Sequence, residues 1–196
     1  MEDKEILSKY ESLYISNNKL IGWLKIADTN IDYPVMQCDD NEFYLSHNFD
    51  SKEDKAGSIF LDCSNDINKD DDNYIIYGHH LTSGKMFSSL SNYEKKDYYE
   101  KHKYITFDTI YEEHTYEVIF AFRSKVYKED EVVFKYYQFI NANSEEEFNS
   151  YIGEMRNLSF YDTGLNAEFG DTFVTLSTCD YHEENGRFVV VAKRIK

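Results

Sequence analysis

Three side chains far apart in the chain carry the groups of covalent acyl transfer: a thiol, an imidazole and a guanidinium. Cys179 ends the stretch Phe173-Val174-Thr175-Leu176-Ser177-Thr178-Cys179. Its alternation of apolar and hydroxyl residues predicts a β-strand. Arg187 heads a second apolar run, Phe188 to Ala192, and the upstream run Tyr74-Ile75-Ile76-Tyr77 ends in Gly78-His79-His80. A thiol attacks a carbonyl as its thiolate, and a free cysteine ionises only near about pH 8.5. A neighbouring cation favours that charged form. Attack on an amide leaves negative charge on the carbonyl oxygen, where one positioned donor is worth roughly 3–4 kcal/mol. The departing amine needs a proton, and imidazole, ionising near about pH 6.5, is its usual source.

Each of these residues also has a structural reading. A single Cys in an apolar strand is commonly a small core residue. Here the hydroxyls of Thr175, Ser177 and Thr178 precede it, and the polar loop Asp180-Tyr181-His182-Glu183-Glu184-Asn185-Gly186 follows. Cys179 therefore belongs at a strand end near solvent. Arg187 could be a simple surface charge. His80 could serve in place of His79, and His182 lies three residues from the thiol. A zinc site built from Cys63, His79, His80 and Cys179 matches no compact ligand spacing. No metal or cofactor is expected.

The elements that must position these groups follow from pattern. A chain of 196 residues fits one domain with a full core. Its 18 Tyr and 14 Phe favour pleated, half-buried surfaces, and its single Pro and 8 Gly argue against long linkers. Lys4 to Tyr14 has helical spacing and stops at Asn17-Asn18. Strands are predicted over Ile21–Ile26, Ile31–Met36, Gly57–Leu61, Tyr74–Tyr77, Tyr104–Phe107, Tyr116–Phe122, within Val132–Ile140, and over the two final runs. Phe43-Tyr44-Leu45 is too short to assign. Asn65–Asn73 has the composition of an acidic surface loop; Asp70, Asp71 and Asp72 could bind a cation, but a solvated face is the expectation. Met86, Phe87 and Leu90 suggest a short helix. Ser144-Glu145-Glu146-Glu147 is a capping box for a helix with Phe148, Tyr151, Ile152, Met155 and Leu158 on one face. About eight strands with a few helices inserted predict a mainly β protein, a barrel or sandwich.

The formal net charge of −16 opposes binding to nucleic acid or anionic lipid through a basic patch. No run approaches the roughly 20 apolar residues that span a bilayer, and no secretory signal pattern is present. Three cysteines cannot form a closed disulfide framework, and no Cys-x-x-Cys pair occurs.

Taken together, these residues resemble the sortases, cell-wall transpeptidases of Gram-positive bacteria. Thr175-Leu176-Ser177-Thr178-Cys179 is similar to their Thr-Leu-x-Thr-Cys signature. Gly78-His79 matches a catalytic histidine that directly follows glycine at a strand end, and Arg187 matches an arginine on the last strand. Class B is indicated by three further features. They are Tyr77-Gly78-His79-His80 with Met86-Phe87, the segment Asn41 to Phe49, and a long helix-bearing insertion before the Cys strand.

The resemblance implies an eight-stranded β-barrel over residues 19–196 with an N-terminal helical extension over 1–18. It implies Cys179 as nucleophile, His79 as general acid and base, and Arg187 as the group holding the oxyanion or the signal backbone. Asn41, Leu45, Tyr77, Ser177 and Asp180 would line the signal-binding groove. Leu45 and Tyr77 could equally be core packing, Asn41 a cap for the short element after it, and Ser177 an ordinary polar strand residue. The implied partners are surface proteins bearing a C-terminal sorting signal and a peptidoglycan cross-bridge amine. The implied location is the outer face of the cell membrane. The family's N-terminal membrane anchor is not visible here, and a truncated chain is the expectation. A hydrolase using water as acceptor, or a non-catalytic surface binding module on the same barrel, are the alternatives.

Overall fold

In the computed structural model, residues 4–196 are described, and residues 1–3 of the expected N-terminal extension lie outside the described residues. The strand that ends in Cys179, β7 (Phe173–Cys179), has two unlike faces, and the molecule is arranged around both. With β1 (Leu20–Lys25), β2 (Asp32–Met36), β3 (Ile59–Leu61), β4 (Asn73–Tyr77), β5 (Tyr104–Thr109), β6 (Thr115–Lys125) and β8 (Gly186–Arg194), it closes a mainly β barrel. The hydrogen-bonded order around the ring is β1-β2-β3-β4-β7-β8-β6-β5. Two neighbour pairs are parallel, β2 with β3 and β4 with β7. The other six are antiparallel.

Successive strand residues point to opposite faces, and the burial follows. Val174 and Leu176 of β7, with Val190 and Ala192 of β8, point inward to the barrel's apolar filling. Phe173, with Val189 and Val191, points outward into a second apolar cluster. A bulge in β6 between Val118 and Phe120 turns both Ile119 and Phe120 toward that outer cluster. Its cover is the stretch between β6 and β7, which contributes Tyr136, Phe139, Phe148, Ile152 and Met155.

Helix α1 (Ser8–Ser16) packs across the barrel through the buried Tyr10, and the Leu7 N–H donates to the Ile110 carbonyl at 2.8 Å. It starts later than the periodicity suggests and ends at Asn17 as expected. Phe43–Leu45 is a single 3-10 turn. Met86 and Phe87 precede a 3-10 segment, Ser88–Glu94, which runs on into α2 (Lys96–Lys101), a short polar helix with no clear sequence signal.

Helix α3 (Glu145–Leu158) starts at the expected cap, where Ser144 Oγ accepts from the Glu147 N–H at 3.1 Å. The return bond goes one residue further out than a capping box requires: Asn143 N–H donates to Glu147 Oε2 at 2.7 Å. Leu158, expected on the buried face, is 43% exposed.

Two expectations are corrected. No strand forms in Val132–Ile140. Val132 is fully exposed, and the chain makes a 3-10 turn at Tyr136–Gln138 that presses Tyr136 and Phe139 onto the outer cluster. A spacing of three suits a turn that lays both rings on one side, whereas a strand would separate them. The Asn65–Asn73 loop is not simply solvated either. Asp71 is buried and accepts from Asn65 Nδ2, Asp66 N–H and Asn141 Nδ2, each at 2.9 Å. It is a staple between this loop and the insertion. Among the described residues no helix is long and apolar enough to cross a membrane.

Candidate active site

Strand register gathers the three chemically capable groups. In the parallel pair, Tyr77 lies beside Ser177. Two residues further along each chain come His79 and Cys179, on the same outward face. Gly78 N–H donates to the Ser177 carbonyl at 3.2 Å, and Thr178 Oγ1 donates to the Gly78 carbonyl at 2.7 Å. The two chains therefore stay together past the end of β4. Across the antiparallel pair, Cys179 is directly opposite Arg187. All three residues line one cleft of about 320 Å³, and so do Asn41, Leu45, Tyr77 and Ser177.

Two glycines make this approach possible. A Cβ on Gly78 would come within 2.8 Å of the Phe87 ring. Phe87 is fully buried, and its N–H donates to the His79 carbonyl at 2.9 Å. The glycine before His79 thus lets an aromatic ring fill the barrel end and hold the histidine backbone. A Cβ on Gly186 would lie 2.2 Å from the Asp180 carbonyl oxygen. The tight return from β7 to β8, which sets Arg187 opposite the thiol, cannot accept a side chain there.

The three imidazoles near the thiol have separate settings. His79 Nε2 lies 2.5 Å from the Leu45 carbonyl oxygen, an acceptor only, so Nε2 carries a hydrogen and Nδ1 is the nitrogen left free in the neutral ring. His80 Nδ1 donates to the Cys179 carbonyl at 3.2 Å, and His80 is not part of the cleft lining. His182 sits in the return loop with its nitrogens 3.4 Å from Asp180 Oδ2 and 3.0 Å from Glu183 Oε1. Among these three, His79 alone lines the cleft.

Asp180 does not line it. Its carboxylate accepts from Arg123 Nε at 2.7 Å, while the two terminal nitrogens of Arg123 donate to Glu94 at 2.8 and 2.9 Å. Burial alone would raise the Asp180 carboxyl, but the Arg123 hydrogen bond and charge outweigh it and hold the carboxyl below its ordinary value. Asn41 does not cap the short turn after it; Asp40 Oδ1 does, accepting from the Glu42 and Phe43 N–H groups at 2.8 and 2.7 Å.

Tyr136, Tyr137, Val126 and Phe60 also line the walls, and no motif or spacing singles them out. Tyr136 hydroxyl and Ser177 Oγ are 2.7 Å apart. Burial pushes the Tyr136 hydroxyl up to about 12, so it remains protonated at neutral pH. Among the described residues no carboxylate lines the cleft, and Arg187 is the guanidinium within it. In a chain of net charge −16, this wall composition spares a thiolate or oxyanion from like-charge repulsion.

The sortase-domain family model matches residues 24–195, nearly the whole barrel. Sortase B of Staphylococcus aureus is 33% identical over 195 residues, covering 98% of this chain and 77% of that protein. The chain belongs to the class B sortases. A solved Staphylococcus aureus sortase B–substrate complex superposes with a TM-score of 0.88 at 33% identity, covering 98% of this chain and 87% of that one. Bacillus anthracis sortase B in complex with AAEK1 gives 0.87 at 32% identity, covering 100% and 88%. As a class B sortase the chain is a cysteine transpeptidase on an eight-stranded barrel.

Proposed function

We propose that this sortase cleaves a C-terminal sorting signal after its Thr and transfers the surface protein to a cell-wall amine. The observation that carries the reading is the shared cleft of Cys179, His79 and Arg187 at three neighbouring strand ends. The Cys179 thiol gives its proton to the free Nδ1 of His79, and the resulting thiolate adds to the Thr carbonyl carbon, whose oxygen takes the negative charge. Arg187, directly across from Cys179, is the donor to that oxygen or to the signal backbone. As the tetrahedral adduct collapses, the C–N bond breaks and His79 Nδ1 gives its proton to the departing amine. The acyl group remains on sulfur as a thioester. An incoming amine then loses a proton to His79 as it adds, the C–S bond breaks, and Cys179 leaves as thiolate.

Its hydrogen bond to the Leu45 carbonyl supports Nε2 as the fixed, protonated side of His79, leaving Nδ1 for the transfers. Asn41, Leu45, Tyr77 and Ser177 form the signal-binding wall, while Asp180 acts from behind, holding the chain just past Cys179. Residues 19–196 are the catalytic barrel and 1–18 its extension. The enzyme works at the outer face of the cell membrane on surface proteins that bear the sorting signal.

Incubation with Leu-Pro-x-Thr-Gly-like and Asn-Pro-x-Thr-x-like peptides, followed by mass spectrometry, tests this. A thioacyl adduct on Cys179, discharged faster by oligoglycine or diaminopimelate-type amines, is expected. No adduct with any such peptide would sink the proposal, and discharge indifferent to amines would make the enzyme a hydrolase.

A further inference from the structure

Behind the cleft wall stands a carboxylate that the proposed reaction does not use. Asp62 directly follows β3 and is 5% exposed. Its Oδ2 accepts from the Tyr77 hydroxyl at 2.8 Å and from Asn41 Nδ2 at 3.0 Å, and its Oδ1 accepts from the Ser64 N–H at 2.8 Å. The Asp62 main chain is held too: its N–H donates to the Ile75 carbonyl, and its carbonyl accepts from Gln37 Nε2, both at 2.8 Å. On the other side, Asn41 Oδ1 accepts from the Cys63 N–H at 2.8 Å.

These contacts determine which way round two wall groups stand. A carboxylate only accepts and a main-chain N–H only donates. Reversing the Asn41 amide would set N–H against N–H and oxygen against carboxylate. Among the described residues one Asn41 N–H therefore remains without a partner, on a residue that lines the cleft. The Tyr77 hydroxyl hydrogen is committed to Asp62, so toward an occupant its oxygen only accepts. Burial first, and the Asp62 charge second, hold that hydroxyl far above its usual range and keep it protonated.

We infer that Asp62 is a positioning residue that sets the hydrogen-bond polarity of the groove, so that the bound segment must present a carbonyl oxygen to Asn41 and an N–H or O–H to Tyr77. This rests on the reading of the cleft as the signal-binding groove. It assigns to Asp62 recognition rather than bond-breaking, and the kinetics separate the two.

Asp62→Asn keeps the shape but turns one acceptor into a donor, which frees the Asn41 amide to reverse. KM for a sorting-type peptide should rise about tenfold, the size of one or two recognition hydrogen bonds. The kcat, and the rate at which iodoacetamide alkylates Cys179, should stay within about twofold. In an Asn41→Ala/Tyr77→Phe background the same change should add less than about twofold, because its targets are gone. An unchanged KM in Asp62→Asn would overturn the inference. So would an equal loss with both partners removed, or a parallel fall in alkylation and turnover. If Asp62→Asn does not fold, Asn41→Ala and Tyr77→Phe take its place. KM rising further than kcat falls supports the inference, and the reverse overturns it. Failure of the underlying reading looks different: wild-type protein that alkylates normally yet forms no adduct with any peptide.

Discussion

The inward face of β7 and its outward face run through the same seven residues and are built to different rules. Inward, Val174 and Leu176 join a continuous apolar filling, and even Thr178 spends its hydroxyl on the Gly78 carbonyl. Outward, the series is graded: Phe173 in an aromatic cluster, Thr175 bonded to Asn73, Ser177 bonded to Tyr136, then Cys179 at the cleft. The inner face closes the barrel. The outer face changes from packing to polarity to the proposed nucleophile over the length of one strand. Stability and chemistry are thereby separated by which way a residue points, and the separation can be tested.

Cys179→Ala gives the largest effect. Thioacyl formation should fall by at least about 10⁴-fold, as expected when a nucleophile is removed. The residue is half-buried at a strand end, so the thermal midpoint should move by no more than about 2 °C. Peptide mass spectrometry and a melting curve read both. A large fall in the midpoint would place Cys179 among the packing residues and erase the distinction between the faces.

Phe148→Ala and Leu176→Ala sharpen it. Both delete fully buried side chains, at a cost of about 3–5 and about 2–5 kcal/mol respectively. Phe148 lies on α3, with its ring 6.1 Å from Phe139, which follows the turn carrying Tyr136. Its loss should therefore also raise the peptide KM by loosening the cleft wall. Leu176 belongs to the barrel filling, and its loss should lower the denaturation midpoint while leaving the KM of the folded fraction within about twofold. Urea titrations paired with steady-state kinetics separate the two. Equal KM changes in both variants would show that the wall and the barrel are one mechanical unit.

Much of this arrangement was legible in the chain. β4, β7 and β8 announce themselves because their alternation or apolar runs are unbroken, and Cys179, His79 and Arg187 fall at their ends. What was illegible depends on partners distant in sequence. Asp71 looks solvated among acidic neighbours, yet its staple to Asn141 spans 70 residues. The aromatic run in Val132–Ile140 mimics a strand because its rings serve a surface that β6, β7 and β8 create elsewhere. Asp180 follows the thiol and was expected beside the signal, but Arg123, 57 residues earlier, draws its side chain away. Tyr136 and Asp62 gave no signal of a site role. Each acts through one hydroxyl or carboxylate whose partner only the closed ring supplies.

Tyr136→Phe probes the middle of the graded face. It removes the hydroxyl opposite Ser177 and leaves a buried Ser177 Oγ short of a partner, at a cost of about 1 kcal/mol. The KM should rise by less than in Phe148→Ala, because the ring still packs. A KM change larger than that of Phe148→Ala would mean that the hydrogen bond, and not the aromatic support, shapes the wall.

The smallest effect concerns the return loop between the thiol and Arg187, where ion pairs take the place of packing. Burial acts to raise Asp180, yet Arg123 holds it low, and the Arg123 hydrogen bond lowers the exposed Glu94 carboxyl as well. Both carboxyls release their protons more readily in the folded protein than in the unfolded chain. Their contribution is therefore present above the ordinary carboxylate range, near about pH 4, and is lost as the pH falls through their depressed folded values. Arg123→Gln should lower the thermal midpoint modestly near neutral pH, where the ion pairs contribute, and bring it close to wild type toward about pH 3, as both carboxyls become protonated. It should make the acid side of the stability profile shallower, because two carboxyls would no longer be held low. Thermal midpoints collected from pH 7 down to about pH 3 give that slope. A profile identical to wild type would mean that the loop bearing both ends of the proposed acyl-transfer site is held by its backbone alone, by the close approach at Gly186 and the Asp180 N–H to the Gly186 carbonyl at 3.0 Å.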